Sequence, residues 1–246
     1  MAELFPHRIR PLQAWRAIRA LLRDPDDTAQ VFRIVDALSG RTGERVFRRF
    51  HATAVGARVV AERRCLLATL QDRSALGALP AGSLGRSYHD FMAGEAISAG
   101  GLVEASVEGR GARETLDPER RLVLERLRDM HDLWHVVTGY GRDLVGEATL
   151  LAFTFAQTRN PGIGFIVGVA WWRAGRNPEG RGFRRLLQDG YRRGRRAAWL
   201  PAQDWEALLP LPLDEVRRRL GVEPPPAYTP VRSAGAPRAQ LAAGSG

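Results

Sequence analysis

The chain has 246 residues, 44% of them hydrophobic, and a net charge of +10; it contains no Lys, so all 37 basic residues are Arg. That length supports one sizeable core or at most two small ones. One Cys, Cys65, excludes a disulfide framework within the chain and a Cys-rich zinc ribbon, so any metal must be held by His and carboxylate.

In chain order the pattern is almost wholly helical. Residues 11–23 place Leu12, Trp15, Ile18 and Leu22 at helical spacing beside a stripe of Arg16, Arg19 and Arg23, so 1–24 is read as an N-terminal amphipathic helix. Asp26 or Asp27 can cap a second helix to about Leu38, which Ser39-Gly40 would stop. A long third helix is expected over 43–73, then a Gly/Pro loop at 77–85 and a helix over 87–99 carrying Tyr88, Phe91 and Met92. After a polar, Gly-rich loop at 100–115, Asp117-Pro118-Glu119 combines a cap, a Pro at the first position and an acid at the positive end of the dipole. That helix should run to Thr138 and stop at Gly139-Tyr140-Gly141. Further helices are expected over 143–158, 163–174, 180–199 and 213–220, with a turn at Asn160-Pro161-Gly162. The expectation is a single all-α domain over 25–222, followed by a flexible Pro/Ala/Gly/Ser tail over 223–246.

The charge fits either compositional drift toward Arg or an anionic partner. No groove-reading motif accompanies it, so nucleic acid is not expected. In 180–197, Arg181, Arg184, Arg185, Arg192, Arg195 and Arg196 share one stripe, with Phe183, Leu186 and Leu187 opposite. That is a solvated face or a dock for an anionic membrane surface. Residues 150–155 and 162–172 are apolar beyond one stripe; they are core, or the wall of a channel for a greasy chain, kept thin by Gly162, Gly164 and Gly168. The run 162–172 is about half the ~20 residues that a spanning helix needs. Residues 1–25 show no secretory signal, and a cytoplasmic protein, soluble or peripheral, is expected.

The segment that carries chemistry is Met130-His131-Asp132-Leu133-Trp134-His135. His131 and His135 are four apart, so on a helix they share a face and could ligate one ion. Asp132 is rotated by ~100° from His131 and could ligate or orient an imidazole. Glu147 follows His135 after eleven residues; on an unbroken helix it would lie ~18 Å away. A reversal at Gly139 and Gly141 would bring it back, placing the metal site on a helical hairpin. The plainer alternative is a hydrogen-bonded His pair with no metal. His7 is read as a surface residue and His51 as a helix-face residue; like His89, they lack such surroundings.

The segment resembles the ubiquinone-biosynthesis proteins of the coenzyme Q "number four" type (Coq-four), whose hallmark H-D-x-x-H, eleven residues, then E stands here as His131, Asp132, His135 and Glu147. The likeness extends to Leu79-Pro80-Ala81-Gly82-Ser83-Leu84-Gly85-Arg86-Ser87-Tyr88-His89-Asp90-Phe91-Met92, to Gly146-Glu147-Ala148 with Gln157-Thr158, and to Trp199-Leu200, Trp205-Glu206 and Leu220-Gly221-Val222. It covers roughly 25–222, with 162–182 unaligned. The resemblance implies an all-helical fold and a zinc site formed by His131, Asp132, His135 and Glu147. It also implies association with other ubiquinone biosynthesis proteins at the inner face of the inner membrane. The activity it implies is removal of the C1 carboxyl from a polyprenylated 4-hydroxybenzoate, a quinone precursor.

The residues suit that chemistry. A metal can hold a carboxylate or phenolate and spread its charge, and an acid such as Asp132 can deliver a proton; Asp132 and Glu147 are therefore the candidate catalytic residues. If the ring carbon is instead hydroxylated, a redox metal or O₂ is needed, and two His with a carboxylate also suit Fe²⁺. The rival expectation is a non-catalytic scaffold that presents prenylated intermediates to partner enzymes. A homodimer is compatible with either.

Overall fold

Six of the helices in the described residues start on a side-chain cap, because the first-turn amides of a helix need acceptors from outside it; Asp27, expected as a cap, precedes its helix without a side-chain cap hydrogen bond. The computed structural model describes residues 8–25, 27–94, 117–176, 180–224 and 227–231. His7, the loop expected at 100–115 and the end of the tail lie outside them. Helix α1 (Pro11–Leu21) starts on Pro11 and leads to α2 (Thr28–Leu38) and α3 (Thr42–His51). Thr53 caps α4 (Ala54–Ala61); α5 (Leu66–Gln71) follows, and Asp72 caps α6 (Arg73–Gly77). After α7 (Leu84–Gly94), Asp117 caps α8 (Pro118–Asp129), and α9 (His131–Thr138) runs on from it. Asp143 caps α10 (Leu144–Thr158) and Asn160 caps α11 (Pro161–Ala174). Helix α12 (Gly180–Arg196), a 3₁₀ turn at Leu200–Ala202, α13 (Trp205–Leu208) capped by Asp204, and α14 (Leu213–Leu220) complete the body. Among the described residues there is no strand, only an isolated bridge between Ser83 and Pro212. The all-α single domain expected from the pattern is what forms.

The long helix expected over 43–73 is three helices, α3, α4 and α5, with α6 starting at its end. Thr53 turns its side chain onto the amide of Gly56 and so starts a new helix, and Arg63 adopts a left-handed φ of 50°. The helix expected to run unbroken to Thr138 is interrupted at Met130, which is wholly buried, so that α8 ends at Asp129 and α9 begins at His131. The loop at 77–85 ends earlier than expected, with α7 beginning at Leu84.

Helix α1 packs on α2 and belongs to the body rather than standing apart. Its buried stripe is Ala14, Ala17 and Ile18, while Leu12 and Trp15 face outward. The stretch from Glu223, expected as a flexible tail, is docked at Tyr228 and Val231. Both of those residues bond to the turn between α9 and α10, as described below. Helix α12 lies along α10 at close range: a Cβ on Gly190 would stand 2.6 Å from the Thr149 carbonyl oxygen, and one on Gly194 2.6 Å from that of Phe153. Its expected basic stripe is outside, with Arg181, Arg185, Arg192, Arg195 and Arg196 exposed.

Three hydrophobic clusters hold these elements. One joins α7, α9 and α10 to the segment 200–222, one joins α3, α4 and α8, and one joins α1, α2 and α11.

Candidate metal centre and its cavity

Gly139 ends α9 at φ 75°, a left-handed turn that glycine takes without strain. The chain then reverses, and Asp143 accepts hydrogen bonds from the amides of Val145 and Gly146 to start α10. Gly146 fits under this turn because it has no side chain: a Cβ there would stand 2.1 Å from the Gly141 carbonyl oxygen. The hairpin places Glu147 over the histidine pair.

His131 Nε2 and His135 Nε2 are 3.2 Å apart, with their rings edge to face at 4.8 Å. Glu147 Oε1 is 3.4 Å from His135 Nε2, and Glu147 Oε2 is 3.7 Å from His131 Nε2. Zn–N bonds of ~2.0–2.1 Å at tetrahedral angles set ligand atoms about 3.3–3.4 Å apart, so these three groups have the spacing of ligands about a single ion. His135 Nδ1 lies 2.9 Å from the Tyr140 carbonyl oxygen, which can only accept, so Nδ1 carries the proton and Nε2 presents its lone pair. Phe91 stacks on the wholly buried His135 ring at 5.7 Å.

Asp132 is buried on the same turn, and its carboxylate lies within 4.8 Å of donor nitrogens on both imidazoles. His131, Asp132 and His135 thus form a group that could hold a metal ion. The ion pairs within 4.0 Å of the imidazoles on this hairpin come from Glu147; Asp132 pairs instead with Arg142 Nη1 at 3.5 Å. Arg142 Nε is also 3.6 Å from Glu147 Oε1, so one guanidinium spans both carboxylates. Burial pushes the His135 imidazole down, but Glu147, Asp132 and the Tyr140 carbonyl outweigh it and raise it above the ordinary histidine value. Burial likewise works to raise Glu147, yet the two imidazoles hold its carboxyl well below the usual carboxylate range. The site therefore keeps Glu147 ionised beside the imidazoles.

A cavity of about 1270 Å³ adjoins this group and includes His131, Arg142 and Glu147 in its wall. Ordinary small-molecule pockets hold roughly 300–1,000 Å³. Glu147, Ala148, Leu151, Thr154 and Thr158 line it along one face of α10, so it extends some ~16 Å from the metal group at 1.5 Å per residue. Ile163, Ile166 and Val169 of α11, Val31 and Val35 of α2 and Ile18 of α1 line its other sides. Leu150 and Phe153, grouped with this wall by their sequence, point instead into the core. Gly162 packs on α2, against Val35 Cα, and is not a thin place in the channel.

Of the other histidines, His51 is exposed at the end of α3 and His89 pairs with its neighbour Asp90 at 2.9 Å. Sequence reasoning missed Arg142, whose one signal was a cation in the turn between the histidines and Glu147. It also missed Tyr228: the hydroxyl accepts from the Gly141 amide at 2.9 Å and donates to Asp143 Oδ2 at 2.8 Å. The Val231 amide donates to Asp143 Oδ1, and the Leu144 amide to the Val231 carbonyl. Nothing in a Pro/Ala-rich segment announced that role.

The family model described as coenzyme Q (ubiquinone) biosynthesis protein Coq4 matches residues 7–226, which takes in α1 as well as the motif. A relative named ubiquinone biosynthesis protein coq-4, mitochondrial, from Neurospora crassa is 31% identical over 82% of this chain and 52% of its own length. Its namesake from Aspergillus clavatus is 30% identical over 82% of this chain and 64% of its own. The chain thus spans about half to two thirds of the length of these curated relatives. In fold it is similar to a crystal structure described as a putative ubiquinone biosynthesis protein from Nostoc punctiforme, with a TM-score of 0.64 at 23% identity over 87% of this chain and 99% of that one.

Proposed function

Because the chain belongs to the coenzyme Q (ubiquinone) biosynthesis protein Coq4 family, we propose that it works in ubiquinone synthesis as a lyase, removing the C1 carboxyl from a polyprenylated 4-hydroxybenzoate. The observation that carries this reading is the joining of a polar site to an apolar cavity: His131, Arg142 and Glu147 line the same cavity as Leu151, Ile163 and Ile166. A molecule with an acidic aromatic head and a long apolar tail matches both ends.

His131, His135 and Glu147 would hold one divalent ion, with zinc preferred by their type and spacing and Fe²⁺ acceptable to the same ligands. Bound there, the ion would supply positive charge to a phenolate or carboxylate of the ring. Three protein ligands leave a position open, as catalytic sites require. Arg142 orients the ring carboxylate by paired N–H donors. Asp132, protonated from water once Arg142 has turned from it to the ring carboxylate, would deliver that proton to C1 as the phenolate pushes electron density there, and return to carboxylate. The C1–H bond forms, the C1–carboxyl bond breaks, CO₂ leaves, and its electron pair returns to the ring. The apolar wall of α10 and α11 holds the tail and keeps water from the ring.

The site is reached from a membrane, where such a substrate resides. We place the protein peripherally on the inner face of the inner membrane, beside other enzymes of the same synthesis. No helix among the described residues is long and apolar enough to cross a membrane.

The test is turnover of a prenylated 4-hydroxybenzoate, labelled with ¹³C in its carboxyl, by purified protein loaded with Zn²⁺ or Fe²⁺. Labelled CO₂ and a product bearing hydrogen at C1 are expected. A product hydroxylated at C1 would identify the oxidative reaction, which consumes O₂. Tight binding without turnover under either metal would identify a lipid-presenting scaffold.

A further inference from the structure

Helix α1 is apolar on two faces. Ala14, Ala17 and Ile18 are spent on the core, yet Leu12 is 61% exposed and Trp15 55% exposed on the other side. Beside them, near the end of α11, Trp172 is 53% exposed and Trp171 36%. Scattered exposed apolar residues are ordinary, but here they cluster. A groove of about 910 Å³ runs between the two helices and is lined by Trp15, Leu22, Phe165 and Trp172, with Gly164 and Gly168 in its wall.

Two relations decide what this surface meets. The groove is threaded by cations: Arg19, Arg173 and Arg176 line it, Arg176 stacks on Trp172 at 3.6 Å, and Arg184 stacks on Trp171 at 3.4 Å. Indole rings interleaved with guanidinium groups suit the boundary between acyl chains and anionic headgroups. The groove also shares Ile18, Leu22, Val169 and Arg173 with the cavity, so these residues belong both to the outer surface and to the wall of the space that reaches the metal group.

We propose that the α1–α11 face docks on an anionic bilayer, and that the seam between these helices is the portal through which the apolar tail passes into the cavity. This rests on the reading that the cavity takes a prenylated substrate. It differs from the sequence expectation in placing the docking surface on α1 and α11 rather than on the arginine stripe of α12. The apolar side of α12 is already covered by α10. A stripe of arginines alone attracts anionic lipid but buries no apolar area, whereas the α1–α11 face supplies both. Gly168 bears on the portal directly, because a Cβ there meets nothing within 4 Å and the space in front of it is the groove itself.

The experiment uses the full chain with phosphatidylcholine vesicles, with and without phosphatidylglycerol. Vesicles whose acyl chains carry bromine should quench the indole fluorescence of the wild type, because Trp15, Trp171 and Trp172 reach the chains. Replacing these three by Ser should weaken binding to phosphatidylglycerol vesicles by roughly tenfold or more and abolish the quenching. The triple change Arg185→Ala, Arg192→Ala, Arg195→Ala on α12 should retain most of the binding. Gly168→Trp, compared with the wild type at vesicle concentrations that bind equal fractions of each protein, should take up a dansyl-labelled farnesyl chain ~10-fold more slowly, because the ring fills the groove. The docking face is overturned if the Ser variant binds like the wild type while the α12 variant does not; the membrane reading then stands. It is overturned too if the Ser variant keeps vesicle binding but changes from dimer to monomer in light scattering, since the face would then serve a second copy. Indifference of the wild type to both vesicle types would sink the membrane reading itself. Unchanged uptake by Gly168→Trp would dismiss the portal.

Discussion

His135 Nδ1 stands 2.9 Å from the Tyr140 carbonyl oxygen, five residues on, beyond the left-handed turn at Gly139. The same turn that brings Glu147 back over the histidines therefore also sets the proton of the buried imidazole and turns its lone pair toward His131. The first prediction follows from that geometry. Elemental analysis of gently purified protein should find about one divalent ion per chain. The double change His131→Ala, His135→Ala should lose it while the helical circular-dichroism signal stays. A metal-free wild type after preparation without chelators would mean that the pair is a hydrogen-bonded structural feature.

Arg142 joins the two carboxylates of the site and lines the cavity. Arg142→Gln should retain the metal but raise KM for a carboxylated ring ~10–100-fold, as expected for loss of a charge-assisted, paired contact of about 1.5–3 kcal/mol. Binding of a decarboxylated analogue should change little. An equal loss for both ligands would assign Arg142 to holding the hairpin rather than the substrate.

Tyr228 ties the chain beyond Glu223 to the cap of α10 by two hydrogen bonds through one hydroxyl. Tyr228→Phe leaves the Gly141 amide without that acceptor and should cost about 1–2 kcal/mol, read as a lower denaturant midpoint. It should also weaken metal retention, because Asp143 positions the first turn that carries Glu147. Unchanged metal affinity would make the strap a stability element alone.

Arg126 is wholly buried and forms a two-pronged pair with Glu206 at 2.7 and 2.6 Å, beside Arg64 and Asp204. Glu206→Gln strips the buried guanidinium of its counter-charge and should destabilise by about 3–5 kcal/mol. Burial works to raise the Glu206 carboxyl, but Arg126 and Arg64 outweigh it and hold it below the ordinary glutamate value; Asp204 is lowered by Arg64 and Arg58 in the same way. A depressed folded-state value contributes stability that is fully present above the unfolded value of about 4 and is lost as pH falls through the folded one. Urea midpoints should therefore drop steeply below about pH 4 in the wild type, and less so in Glu206→Gln.

The helical class, many helix starts and the grouping of His131, Asp132 and His135, which could hold an ion, were legible in the sequence because each is a local matter. Asp117 caps the amides just after it, and His131 and His135 share a face by helical period alone; Asn160, expected in a turn, proves to be the cap of α11. Glu147 could be joined to the pair because the reversal at Gly139 is itself a local signal. Competition within the chain defeated the expectation over 43–73, where Thr53 and Arg63 break a run whose hydrophobic spacing was continuous. Tertiary structure alone decided which of two apolar stripes on α1 is buried, since periodicity ranks Leu12 and Trp15 with Ile18 until α2 takes up the Ala14–Ala17 side. It alone decided that Tyr228, 87 residues from Gly141, closes the turn. It also formed the cavity, because empty space between α1, α2, α10 and α11 is a property of how helices fail to fill the volume between them, and no residue encodes it singly.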